Sequence, residues 1–160
     1  MINSLLNEIL KLFDFFHKKK IIKELKRLNN SESLEVIFDI GAHEGESIEL
    51  FLKNFKVSDI YSFEPSEETF KNLLKNSSYI KKKFINSNII LENFAVGSEN
   101  QNVELNYLHE TSSSTIKNLN IDSNYFKKKE QYLGKLINKK MTVKQINLKQ
   151  YLEKKKNSKN

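Results

Sequence analysis

The stretch Val36-Ile37-Phe38-Asp39-Ile40-Gly41-Ala42-His43-Glu44-Gly45 decides the fold. An apolar run of strand length carries one acid near its end and then meets two glycines with three residues between them. Ile48, Leu50, Phe51, Leu52 and Phe55 follow, so a strand over 34–40 passes through a glycine turn into a helix over about 44–54. An apolar strand ending at a glycine turn is common. A carboxylate set just before that turn suggests a bound ligand.

Working outward, Ile60-Tyr61-Ser62-Phe63 reads as a second strand ended by Glu64 and Pro65. Ser66 has the character of an N-cap, with Thr69, Phe70, Leu73 and Leu74 continuing a helix. Residues 88–93 form a third strand, and 103–108 a fourth after the turn "GSENQN". A strand near 142–148 and a short terminal helix complete the unit. Ahead of it, residues 2–28 repeat apolar side chains at helical spacing, interrupted by Lys18-Lys19-Lys20, so one helix or two are expected. The organisation is an amphipathic helical segment over 1–30 and one α/β unit over 34–160, with no internal repeat or Pro/Gly linker. Alternating strands and helices predict an open parallel sheet, whose ligands bind beyond the carboxyl ends of the strands. Asp39 to Gly45 and Glu64 both fall at such ends.

A length of 160 residues suits one core. No Cys is present, and His17, His43 and His109 lack ligand spacing, so no metal site is expected. No apolar run approaches the roughly 18 residues of a membrane span, and no signal-peptide pattern opens the chain, so a cytoplasmic location is the default. The formal net charge of +7 is uneven: residues 126–160 hold twelve Lys against two Glu. Such a basic tail could attract nucleic acid, anionic lipid or an acidic glycan. However, 26 of 27 basic residues are Lys, whereas bidentate nucleic-acid readout favours Arg, so solvated surface is expected rather than a nucleic-acid partner. Membrane contact through the N-terminal helix is the weaker reading, since the first half of that helix has few basic residues.

The glycine turn discriminates among ligands. A P-loop needs G-x-x-x-x-G-K-[ST], and here three residues separate the glycines with no Lys-Ser/Thr after them. A dinucleotide fingerprint needs a middle glycine, and Glu44 and Glu46 would repel a diphosphate. S-adenosylmethionine has no phosphate and carries an ammonium and a sulfonium, which suits an acidic loop containing Asp39 and Glu44. Glu64, at the neighbouring strand end, can accept hydrogen bonds from ribose hydroxyls.

The ordered series "FDIGAHEG", "YSFEPSEETFKNLLKN", "NIILENFAVGSENQNVEL" and "SSST" resembles the FkbM-type methyltransferase family, a branch of the class I S-adenosylmethionine-dependent fold. The resemblance spans about residues 34–150. It implies a Rossmann-like α/β sheet and S-adenosylmethionine as cofactor. Asp39, Gly41, Ala42, His43 and Gly45 would hold the methionine part, Glu64 the ribose, and Asn93 to Ala95 would border the adenine. His43 stands where the family often has Asn. The implied reaction is O-methylation of a hydroxyl on a sugar or related small-molecule or glycan acceptor. The implied catalytic base has no assignment; His109 is the remaining imidazole near "SSST", where a surface role is commoner. Lys149 occupies the place of a family Asp, and the acidic "K-I-D-x-E-G"-like motif does not follow. The expectation is therefore an incomplete sheet, with the strand "EVIFDI" apolar enough for burial on both faces yet open along one edge. The alternative function is a non-catalytic fragment that binds cofactor, a second copy or a complementing chain.

Overall fold

The computed structural model describes residues 2–107, 114–116, 120–133 and 139–157. The chain runs α1 (Ile2–Asn29), β1 (Ser33–Ile40), α2 (Glu46–Asn54), β2 (Lys56–Phe63), α3 (Glu67–Lys83), β3 (Asn88–Glu92), β4 (Ala95–Gly97), β5 (Gln101–Tyr107), α4 (Asn124–Leu133), β6 (Lys139–Asn147) and α5 (Leu148–Asn157). The α/β alternation holds, and α1 continues unbroken through the three lysines.

The strands form two three-stranded sheets, ordered β1-β2-β3 and β4-β6-β5. The first is parallel throughout, as the crossover helices α2 and α3 require. The second departs from the expected single parallel sheet: β4 runs parallel to β6, but β5 runs antiparallel to it. The three residues 98–100 between β4 and β5 are too few for a crossover, so β5 turns back and β6 enters between the two.

The first core is one register-matched row, Ile37, Ile60 and Ile89, covered by helices. Ile48 and Leu52 of α2, Leu73 and Ile80 of α3, and Ile22 of α1 pack on it. Each such fully buried side chain contributes roughly 1.5–3 kcal/mol. Ala95, Leu105 and Val143 make a smaller core for the second sheet.

The opposite face of the first sheet is covered in part. Tyr151 of α5 meets Phe63 and Tyr61 edge-on, with centroids 5.6 and 6.5 Å away, and Phe38 stacks on Tyr61 at 5.4 Å. The rest of the β1 row is open: Val36 is 47% and Ile40 58% exposed. Burial of β1 on both faces is thus corrected, because α5 lies over β2 and β3 and stops short of β1. Among the described residues β1 pairs with β2 alone, so its outer edge is unpaired.

Boundaries shift for local reasons. The helix expected from residue 44 begins at Glu46, because Gly45 sits at φ 97° as its left-handed cap. The last strand ends at Asn147, one residue before the expected 148, and Leu148 opens α5. Asn147 Oδ1 accepts from the Gln150 N–H at 3.1 Å, which starts that helix. Ser66 caps α3 as expected, its hydroxyl accepting from Thr69 N–H.

Candidate functional site

The carboxyl ends of β1 and β2 meet in one rim. Residue 39 pairs in register with Ser62, and Ile40 with Phe63, so the turn after β1 and the turn after β2 stand side by side. Gly41 and Ala42 both donate their N–H to the Phe63 carbonyl, at 2.9 and 3.0 Å. His43 N–H donates to Glu64 Oε2 at 3.0 Å, and Ser66 N–H to Glu64 Oε1 at 2.9 Å. The Glu64 carboxylate therefore ties the two turns together. Asn93, at the end of β3, donates to the carbonyls of Glu64 and Pro65 at 2.7 and 3.2 Å, adding the third strand end to the same knot.

The two glycines serve different ends. Both have positive φ, 83° at Gly41 and 97° at Gly45. A Cβ on Gly41 would meet nothing within 4 Å, so its outer side is open to a close approach. A Cβ on Gly45 would lie 3.1 Å from Leu73 Cδ1, so that glycine is required for packing α2 against α3. His43 also lies at positive φ, 49°, a region where Asn is better tolerated than His. Its Nδ1 is 3.1 Å from Glu46 Oε1.

Asp39 Oδ2 accepts from Ser47 at 2.6 Å and Ser62 at 3.5 Å. Burial raises the Asp39 carboxyl above its ordinary pKa, against the lowering effect of the two hydroxyls. Glu64 is 7% exposed, and burial raises its carboxyl too, opposed by the two backbone N–H groups. No Lys or Arg is among the groups that act on either acid. The rim is thus a pair of partly desolvated carboxylates with no Lys or Arg beside them, and His43 is the one basic side chain that opposes the rise at Glu64. Among the described residues no group of three His, Asp or Glu could hold a metal. No described helix is long and apolar enough to cross a membrane.

Asp39, Gly41, His43, Glu64 and Asn93 come together at this rim. Ala42 contributes backbone only, its methyl being in the first core, and Gly45 faces that core. Ala95 packs with Leu105 and Val143 in the second core and offers the rim no side chain. Glu44 turns away from the rim: Asn72 of α3 donates to its carboxylate at 3.0 Å and Asn76 to its carbonyl at 3.0 Å. Ser47 and Ser62 hold Asp39 but carry no local sequence signal; Ser62 reaches it through strand register. His109 and the first half of "SSST" lie outside the described residues, while Thr115 exchanges backbone hydrogen bonds with Asn106.

Residues 39–160 match the family described as "Methyltransferase FkbM domain". A similar solved structure is methyltransferase FkbM from Methylobacillus flagellatus KT, 21% identical, with a TM-score of 0.41. The match covers 46% of this chain and 20% of that one, so it spans about a fifth of the solved protein. No curated protein matches the chain.

Proposed function

The chain belongs to the FkbM methyltransferase family, and from that premise we propose that the rim formed by β1 and β2 binds S-adenosylmethionine for O-methylation of a hydroxyl on a sugar or related glycan. The observation that carries the cofactor assignment is the pair Asp39 and Glu64, raised by burial and facing no Lys or Arg, with His43 the one basic side chain that acts on Glu64. A ligand bearing an ammonium and a sulfonium would bring these acids positive charge that no Lys or Arg supplies. The N–H groups of Gly41, Ala42 and His43 already donate inward, to Phe63 and Glu64, so they are not free to cradle a phosphate.

When bound, S-adenosylmethionine supplies an electrophilic methyl group. The chain's own residues bind and orient. Gly41 leaves room for ligand atoms against the backbone. Asp39, fixed by Ser47 and Ser62, presents negative charge near the turn. Glu64 has two oxygens anchored by backbone N–H groups, and their remaining lone pairs can accept from ribose hydroxyls. Asn93 keeps the third strand end against this turn, on the side assigned to the adenine. Catalysis of this kind is chiefly alignment of acceptor and donor.

The open edge of β1 and its exposed Val36 and Ile40 favour a second reading, a cofactor-binding unit that transfers no methyl group unless another chain completes the sheet. Calorimetric titration with S-adenosylhomocysteine, NAD and ATP tests the shared premise: S-adenosylhomocysteine should bind tightest, and equal or tighter NAD binding refutes it. A radiolabelled methyl-transfer assay over a glycan panel then separates the two readings.

A further inference from the structure

A cleft of about 830 Å³ opens between the end of β3, the start of β5, the middle of β6 and α5. That size suits a small ligand. Its lining is unlike the rim just described. Five carboxamide residues border it, Asn100, Gln101, Asn102, Gln145 and Gln150, together with Phe94 and Tyr151. Asn100 is spent in part, its Nδ2 donating to Gln150 Oε1 and its Oδ1 accepting from the Asn147 N–H. Three lysines complete it, Lys144, Lys154 and Lys155, against one acid, Glu92.

Several of these groups are held in place. The Gln145 carboxamide lies across Gly97, where a Cβ would come within 2.3 Å of its amide carbon. Its Nε2 donates to the Glu99 carbonyl at 3.0 Å, which leaves Oε1 to accept from a ligand. Glu92 is neutralised by Lys155 at 3.3 Å and accepts from the Tyr151 hydroxyl. Lys144 and Lys154 have no acidic partner among the described residues, so the cleft carries a net positive charge. The N–H of Gln150, in the first turn of α5, is already capped by Asn147, so an anion would be drawn by the lysines rather than by that helix end.

We propose that this cleft binds an acidic saccharide, its hydroxyls read by the carboxamides, a sugar face set on Phe94 or Tyr151, and its acid group drawn to Lys144 and Lys154. Gln101 and Asn102 carry both a donor and an acceptor, Gln150 keeps its Nε2 and Gln145 its Oε1, which gives a hydroxylated ring both kinds of partner. Ile146 is the one aliphatic side chain in the lining, too little for a lipid tail. The site is separate from the cofactor assignment, although Glu92 and Phe94 flank Asn93 and place the cleft beside the rim.

The test is calorimetric titration of the full chain, without cofactor, with trigalacturonate, neutral galactotriose and inorganic phosphate at low ionic strength. Trigalacturonate should bind at least about tenfold tighter than either of the others. The surface double variant Lys144→Gln/Lys154→Gln should lose that preference, and Gln101→Ala should weaken both saccharides. Phosphate binding as well as trigalacturonate would reduce the cleft to a basic surface and overturn the proposal. So would no saccharide binding, an unaltered preference in the lysine variant, or displacement of trigalacturonate by S-adenosylhomocysteine. A failed cofactor titration alongside retained saccharide binding would count against the rim and not against the cleft.

Discussion

Gly41 and Gly45 look equivalent in sequence, and the structure separates them by what stands above each Cα. Alanine at Gly45 combines a left-handed backbone with a 3.1 Å approach to Leu73, and should destabilise the fold by roughly 2–4 kcal/mol in urea unfolding. Alanine at Gly41 bears only the backbone strain, about 1–2 kcal/mol, and its larger effect should be on cofactor affinity. Equal losses of stability at both positions would erase the distinction. The two rim acids make a second prediction. Their folded-state pKa values are raised, so the folded chain binds more protons than the unfolded chain across the carboxylate range. Their contribution to stability therefore falls as pH rises from the ordinary carboxylate values through the raised ones, and levels off when both are ionised. Asp39→Asn should flatten that slope, measured as urea midpoint against pH, while S-adenosylhomocysteine binding to the parent chain should strengthen over the same interval. Glu64→Gln, which keeps an acceptor for one of the two turns, should weaken that binding by roughly 1.5–3 kcal/mol. The sequence showed the acids and glycines of this site because each sits at a strand end. It could not show that Glu44 faces α3, or that Ser62 reaches Asp39, because both follow from packing between elements distant in sequence.

Among the elements, those with strong apolar periodicity were legible: β1, α2, α3 and β3 lie where their patterns place them, within a few residues. The second sheet was less so. β4 is three residues long and needs β6 to exist, and no local pattern announces a strand that short. α4 was missed because its sequence is largely lysine and polar, with Phe126 as the one buried side chain among its described ones. Its start is nonetheless marked, since Ser123 Oγ accepts from the Phe126 N–H at 3.1 Å. α5 illustrates how a short polar helix is retained. No residue of it is buried, yet Tyr151 touches Phe63 and Tyr61 and donates to Glu92. Tyr151→Phe keeps the ring contacts and removes the hydrogen bond, so thermal unfolding should report a loss of about 1 kcal/mol. Tyr151→Ala removes both and should cost roughly 3–5 kcal/mol less the share of the ring that is already solvated. Similar losses in the two variants would mean that the ring contacts contribute little.

At the scale of the molecule, the first sheet is finished on one side and open on the other. Its outer strand presents Val36 and Ile40 beside an unpaired backbone edge, a combination that invites association. Val36→Thr/Ile40→Thr keeps β-branched side chains there, and should reduce concentration-dependent association in sedimentation while shifting stability by about 0.5 kcal/mol or less. Unchanged association would place the contact elsewhere. The second sheet has a different asymmetry: its middle strand is the last of the described strands to be made. β4 and β5 are joined only through β6, so nothing can pair them until residues 139–147 have been made. A ribosome adds ~5–20 residues per second, and domains fold as their parts emerge. The three parallel strands can close while the later chain is still in the tunnel. Val103 and Leu105 must meanwhile wait through the synthesis of residues 108–138 for their β6 partner, with the Asn106–Thr115 bridge as the contact β5 can make before it. The pace of translation across that interval sets how long the second core stays open.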